Sequence, residues 1–368
     1  MRVLYLINHA GKAGTEKYVY NLVKRFGGKE TECFFAFNES GLLYEQLDDL
    51  GVPCFQIDMR NPFDLKAARK LAGICRANRI DIIHAQYPRE NYIAVLSRLF
   101  YPKAKALYTC HLTLPTNALW WVTNKLITPH DARIISVCNN GKELLVKNGV
   151  SPKKIDVIFN GIPAAEGSGK GVSTIREELK LPDGTFVISI LARYHMSKGL
   201  DFLVDSIAAF DKMMKKPYAV LIAGDGEFFD DIAARIDERG LKGKIFQLGY
   251  RTDTENILDG SDVYINTSKC YEALSFAILE AMSHSLPLVV TSAGGNPDIV
   301  NAETDCGYAV DYGDTEGFAK ALYTLNEDEA LRSRFARNAK AATLERFNLE
   351  NRLLDTLAVY KRIAKENE

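Results

Sequence analysis

The sequence predicts an α/β protein built from two doubly wound, mostly parallel sheets. Three observations predict it. Short apolar, β-branched runs alternate with amphipathic helical patterns along nearly the whole chain, the mark of successive βα units. The alternation is interrupted at residues 160–173, NGIPAAEGSGKGVS, where Gly, Pro and Ala leave no apolar face. At 368 residues the chain is too long for one ordinary domain and suits two. The expected domains are residues 1–165 and 166–345.

In order, residues 3–7 read as the first strand, since their apolar run is too short for a signal peptide. A Gly-containing turn leads into a helix at 15–26. Residues 33–37 and 54–57 are strands, each followed by a helical pattern, at 42–50 and 65–77. Further strands fall at 80–85, 105–110 and 134–138. Between the last two, NALWWVTNKLI (117–127) carries both tryptophans and a lysine. It is read as a helix packed on the sheet, against a membrane-interface helix or an acceptor-site lining. The GSGKG of the interruption is no phosphate loop, because Gly171 follows Lys170 where Ser or Thr is required. Strands resume at 186–192, 219–223, 245–248, 263–266 and 288–291. The helix at 200–213 places Leu203, Ile207 and Phe210 on one face. Helical sequence at 315–325, 329–345 and 349–364 ends the chain. Two such sheets are expected to face a cleft at the C-terminal ends of their strands, where these folds bind ligands.

With 47% hydrophobic and 25% charged residues, the composition is that of a globular protein, and no apolar run is long enough to span a bilayer. Seven scattered cysteines without a CxxC read as reduced core residues of a cytoplasmic protein, with no metal site. The net charge of −1 conceals a division: residues 1–160 hold 22 Lys+Arg against 14 Asp+Glu, and the remainder 24 against 33. A basic first half suits an acidic acceptor or peripheral contact with an anionic membrane, and equally ordinary surface variation. No nucleic-acid partner is expected.

The chemistry centres on residues 271–290, YEALSFAILEAMSHSLPLVV. Glu272 precedes a short apolar helix and Glu280 lies about two turns on, so both can face one ligand. Ser268 and Ser275 are candidate caps, and the backbone N–H groups of Leu274, Ser275 and Phe276 suit an anion. Two hydroxyl-reading carboxylates beside a phosphate-reading helix end describe a nucleotide-sugar site; a solvated Glu at each end of an amphipathic helix is the plain alternative. LARYHMSKG (191–199) brings Arg193 and Lys198 to a helix start, a cation pair that suits a diphosphate. In NHAGKAGTE (8–16), Gly11 and Gly14 allow close approach of a phosphate, but this is not the dinucleotide fingerprint. His9, His84 and His111 end strands or lie in turns; a satisfied structural histidine is the default reading of each. No Asp-x-Asp offers a pair for a nucleotide-bound divalent ion.

Taken together these motifs resemble the retaining GT-B glycosyltransferases of family four. The resemblance covers nearly the whole chain: Glu272 and Glu280 in E-x(7)-E, Arg193 with Lys198, VIFNGIP (157–163), SVCNNGKELLVKNGV (136–150) and RFNLENRLLDTLAVYKRI (346–363). It implies that Glu280 binds ribose hydroxyls and Glu272 the donor sugar. Arg193 and Lys198 would neutralise the diphosphate, helped by N–H groups of residues 274–276 and of Gly14. His111 would stand near the sugar, and Tyr250 and Arg251 near the nucleobase. The helix at 346–368 would cross back onto the first domain. The implied reaction retains configuration, needs no metal or other cofactor, and moves a sugar from a nucleotide donor, UDP-linked rather than GDP-linked, to a lipid-linked or soluble glycan acceptor. Ala273-Leu274-Ser275 replaces the family's usual Gly-Phe-Gly, which loosens the inference about the sugar. The alternatives are a UDP-N-acetylglucosamine 2-epimerase-like enzyme and a non-catalytic nucleotide-sugar binder.

Overall fold

A computed structural model describes residues 1–112, 114–163, 172–270 and 272–365. Most of the expected interruption, with its GSGKG, therefore lies outside the described residues. The chain divides into two units, residues 1–160 with 350–368, and residues 161–349.

The first unit holds seven strands: β1 (Arg2–His9), β2 (Glu32–Glu39), β3 (Cys54–Gln56), β4 (Ile82–Ala85), β5 (Lys105–Cys110), β6 (Arg133–Ser136) and β7 (Ile155–Val157). They pair in parallel in the order β3-β2-β1-β4-β5-β6-β7. Residues 3–7 of β1 are all buried, as a strand covered by helices on both faces requires. The second unit holds β8 (Phe186–Leu191), β9 (Tyr218–Ala223), β10 (Ile245–Gly249), β11 (Val263–Asn266), β12 (Leu288–Thr291) and β13 (Gly307–Val310), parallel in the order β10-β9-β8-β11-β12-β13. In each sheet the chain winds outward from its first strand, then returns to wind the other way. The reversal falls between β1 and β4 in one sheet and between β8 and β11 in the other, and such switch points are where doubly wound sheets bind ligands.

β7 and β13 are not among the expected strands. Both are edge strands of three and four residues, half exposed, and carry little of the apolar run by which central strands are read. A second departure is the helix Ala118–Ile127. It does not bury an apolar face on the sheet: Asn124 is its one buried residue, and Leu119 and Leu126 are 71% and 66% exposed.

From Glu350 the helix Leu349–Lys365 belongs to the first unit. Leu353, Leu357, Val359, Tyr360 and Ile363 are buried there, each worth about 1.5–3 kcal/mol. That outweighs the exposed Arg25–Glu350 and Arg362–Asp156 pairs, which solvent screens. Tyr360 Oη donates to Tyr5 Oη at 3.3 Å. It therefore accepts from His84 Nδ1 (2.7 Å), while His84 Nε2 accepts from Thr109 Oγ1 (2.6 Å). His84 is thus a structural histidine, and burial holds its pKa down at about 3.

Glu90, in the first turn of the helix Pro88–Ser97, is 1% exposed, and burial pushes its pKa up to about 7 from 4.5. The fold accommodates the neutral acid, so its contribution is intact below pH 4.5 and is lost as pH rises through about 7. Glu90→Gln is neutral throughout. Its stability advantage over the parent chain is expected to grow between pH 5 and pH 8 by up to about 3 kcal/mol. Urea denaturation at the two pH values checks this; an advantage independent of pH contradicts it.

Candidate active site

The candidates of the second unit lie in the loops at the C-terminal edge of its sheet, except Phe276 and Glu280, which lie in the helix Phe276–Ser283. Arg193 and Lys198 follow β8, Tyr250 and Arg251 follow β10, and Glu272 follows β11. Because β8 and β11 are parallel neighbours, their following loops emerge side by side, and the backbone locks them together. Thr267 Oγ1 donates to the carbonyl of Lys198 at 2.9 Å, and the Lys269 N–H to that of Ser197 at 2.8 Å.

The result is a charged cluster at the switch point. Lys198 Nζ donates to Glu272 Oε2 at 2.6 Å, with side-chain exposures of 24% and 12%. Ser268 Oγ donates to the same oxygen. Ser268 is therefore not a helix cap but a carboxylate partner, and its own N–H donates to Asn266 Oδ1. The buried Asn296 donates to that same Oδ1 and to the carbonyl of Thr291, tying the loop after β11 to the end of β12.

Glu272 is also held through its main chain. The Gly295 N–H donates to the Glu272 carbonyl at 2.9 Å. Gly294 has φ +55°, and a Cβ there would stand 1.8 Å from that carbonyl oxygen. Only glycine fits both demands. The Gly-Gly follows β12 directly in the sequence, but its service to Glu272 rests on a contact between residues 22 apart in the chain.

The helix Phe276–Ser283 starts at Ser275, which caps it by backbone conformation without a side-chain hydrogen bond. Leu274 is buried; Ser275, Phe276 and Glu280 are half-buried. Both Glu272 and Glu280 lie close enough to the buried Tyr264 to add to the rise in its pKa that burial causes. Each carboxylate is thus within electrostatic reach of the same buried phenol. Arg193 is exposed and has no side-chain partner among the described residues. Arg251 is differently placed: its guanidinium spans Glu178 (2.7 and 3.0 Å) and Asp253 (2.8 and 2.7 Å). Its hydrogen-bonding edge is already engaged, while the adjacent Tyr250 is 63% exposed.

Gly14 and His111 belong to the first unit, at the ends of β1 and β5. Gly14 opens the helix Gly14–Phe26, with Ala13 as its cap and the Ala13 N–H donating to Glu16. His111 is buried edge-on to Tyr18, with ring centroids 4.9 Å apart. Its Nε2 is 2.9 Å from Gln86 Oε1, and Gln86 Nε2 donates to the carbonyl of His84. The Gln86 oxygen therefore accepts, and the proton of His111 is on Nε2. Burial keeps its pKa down at about 3, so it is a neutral donor rather than a cation. Among the described residues no three His, Cys, Asp or Glu side chains gather as a metal site.

Two family models match the chain: Glycosyltransferase Family 4 over residues 13–166, and Glycosyl transferases group 1 over residues 172–342. An Escherichia coli UDP-Gal:α-D-GlcNAc-diphosphoundecaprenol α-1,3-galactosyltransferase is 27% identical, across 86% of this chain and 85% of its own. The N-acetyl-α-D-glucosaminyl L-malate synthase of Bacillus anthracis is 23% identical, across 83% and 81%. Among solved structures, Anabaena HepE in complex with UDP superposes with a TM-score of 0.87 at 20% identity, covering 98% of this chain and all of that one.

Proposed function

The chain belongs to the group 1 glycosyltransferases of the GT-B fold, and we propose that it transfers a sugar with retention from a UDP-sugar to a lipid-linked or soluble glycan acceptor. The product would enter cell-surface polysaccharide or glycoconjugate synthesis. The Lys198–Glu272–Ser268 cluster at the switch point of the second sheet carries this reading. The second unit would bind the donor and the first the acceptor. Glu280 would take the ribose hydroxyls and Glu272 a sugar hydroxyl. Arg193 and Lys198, with the N–H groups at the start of the helix Phe276–Ser283, would carry the diphosphate.

In the reaction the bond from the anomeric carbon to the diphosphate oxygen breaks. The bond to the acceptor oxygen forms on the same face. The acceptor proton passes to the departing phosphate oxygen, so no protein base is required. Two cations and a helix end supply the charge that a divalent ion would otherwise provide. Relatives support the substrate classes: the E. coli enzyme is named for UDP-galactose and a diphosphoundecaprenol-linked sugar, and HepE was solved with UDP. All seven cysteines are free, which fits a reducing, cytoplasmic compartment. No described helix is long and apolar enough to cross a membrane.

Thermal denaturation against UDP, GDP and ADP, each with and without EDTA, tests the reading. UDP is expected to raise the melting temperature, equally with EDTA present. Glu280→Ala is expected to weaken UDP about ten- to a hundredfold, the worth of hydrogen bonds to a charged group. No shift with any nucleotide overturns the donor site, and a shift abolished by EDTA overturns its independence of metal. Release of free sugar or a C2 epimer without acceptor would point to the epimerase class instead.

A further inference from the structure

The helix Ala118–Ile127 presents its apolar residues away from the protein. Leu119, Val122 and Leu126 are 71%, 47% and 66% exposed, and their spacing puts them on one face. Leu112 and Leu114, just before the helix, are 44% and 51% exposed. Inward, Ile127 at the helix end packs on the core of the first unit, and the other inward contacts are polar or aromatic. Asn124 accepts from Tyr92 Oη at 2.6 Å and donates to the Asn148 carbonyl at 2.8 Å. Trp120 stacks with Tyr92 and Phe63, interplanar angles 9° and 10°. Trp120 and Asn124 line a cavity of about 740 Å³ instead of closing on a packed core. Nothing in the first unit needs this outer face to be apolar, and contiguous exposed apolar surface marks an interaction site.

The charge along this stretch of chain is of one sign. Residues 91–130 contain no Asp or Glu, and they carry Arg98, Lys103, Lys105 and Lys125. Lys125 Nζ lies 5.2 Å from the centroid of the Trp121 ring, so its stem runs along the apolar surface and its charge stands at the edge. Arg98 donates to the His130 carbonyl, which brings the end of the preceding helix, with Leu99 73% exposed, alongside. The neighbouring helix Asn139–Lys147 adds Lys142 and Lys147 against Glu143. A second copy meeting this face by two-fold symmetry would set cation against cation. An anionic surface would not.

We propose that this face docks the chain on an anionic lipid bilayer, the helix Ala118–Ile127 lying in the headgroup plane with Leu119, Val122 and Leu126 inserted. Ten residues span about 15 Å, which suits a helix lying in the interface and not one crossing it. The cationic rim supplies attraction that is sensitive to salt. The docking does not depend on which sugar or nucleotide the second unit takes.

The chain contains two tryptophans, Trp120 and Trp121, so its indole fluorescence reports this helix and nothing else. The test adds vesicles of phosphatidylcholine, with and without phosphatidylglycerol, to the full chain at low and high salt. Vesicles containing phosphatidylglycerol are expected to sediment the protein and to shift its emission to the blue, with both effects falling at high salt. Brominated acyl chains should quench the emission. The variant Leu119→Ser/Leu126→Ser is expected to lose at least about tenfold in vesicle affinity, while its melting temperature and its response to UDP stay those of the parent. Equal binding to neutral and anionic vesicles, unchanged emission, or undiminished binding by the variant would each overturn the proposal. So would a blue shift that follows protein concentration in the absence of vesicles, which would assign the face to a second copy.

Discussion

Replacement of Lys198 by alanine is expected to lower kcat by about 10²–10³-fold, with the KM for the donor changed far less. Lys198 has a side chain long and mobile enough to serve two partners. It stands 2.6 Å from Glu272 Oε2, and its loop is fixed at the backbone by Thr267 and Lys269. As the bond to the leaving diphosphate lengthens, negative charge grows on the phosphate oxygens, and an ammonium group beside them is worth most at that moment. Such an interaction lowers kcat and kcat/KM together when removed. Arg193, exposed and without a side-chain partner among the described residues, would still attract the ground-state diphosphate, so binding should survive. Glu272→Gln separates the two duties of the lysine. The amide oxygen still accepts from Ser268, but the charge that holds Lys198 is gone. If Lys198→Ala and Glu272→Gln each impair turnover and the double variant is no worse than the poorer single one, the pair acts as a unit. If Lys198→Ala turns over at the parent rate, the lysine serves only to hold Glu272 and the leaving-group assignment fails.

The parts of this site that were legible in the sequence are those whose spacing is local. Glu272 and Glu280 flank the start of one short helix, Glu272 in the loop before it and Glu280 in its second turn. Arg193 and Lys198 sit at a strand-to-helix turn, which the alternation of strand and helix exposes. The rest depends on contacts distant in sequence. Ser268 looked like a cap because serine before a helix usually is one, yet its hydroxyl goes to Glu272. Arg251 looked free to meet a base, but Glu178, 73 residues earlier, occupies its guanidinium. The helix Ala118–Ile127 misled for a different reason. Apolar residues usually mean burial, but the rule runs one way only, and an apolar helix that buries little of its surface reads the same in sequence as one that buries a whole face. The strands β7 and β13 lie at sheet edges, where half of each strand meets solvent and the apolar signal is weakest.

Gly294→Ala is expected to destabilise the second unit by about 3–5 kcal/mol and to remove most of the activity that survives at a permissive temperature. Two costs combine. At φ +55° an L-residue loses about 1–2 kcal/mol against glycine. The larger cost is steric: the new Cβ would stand 1.8 Å from the Glu272 carbonyl oxygen and 2.6 Å from its carbonyl carbon and its nitrogen. These are backbone atoms of the loop that carries the carboxylate, and they cannot rotate aside. Relief requires that loop to move, which breaks the Gly295 N–H bond to the same carbonyl and draws Glu272 away from Lys198 and Ser268. Gly313→Ala carries a conformational cost without the steric one, because Gly313 has φ +100° and open space where its new methyl group would stand, with nothing within 4 Å. It should cost about 1–3 kcal/mol, a conformational share alone, and leave turnover intact. Thermal melts of the two variants, with the activity of each measured well below its transition, compare them directly. A Gly294→Ala chain no less stable and no less active than Gly313→Ala would mean that the loop bearing Glu272 tolerates displacement, and that the carboxylate's position is set elsewhere.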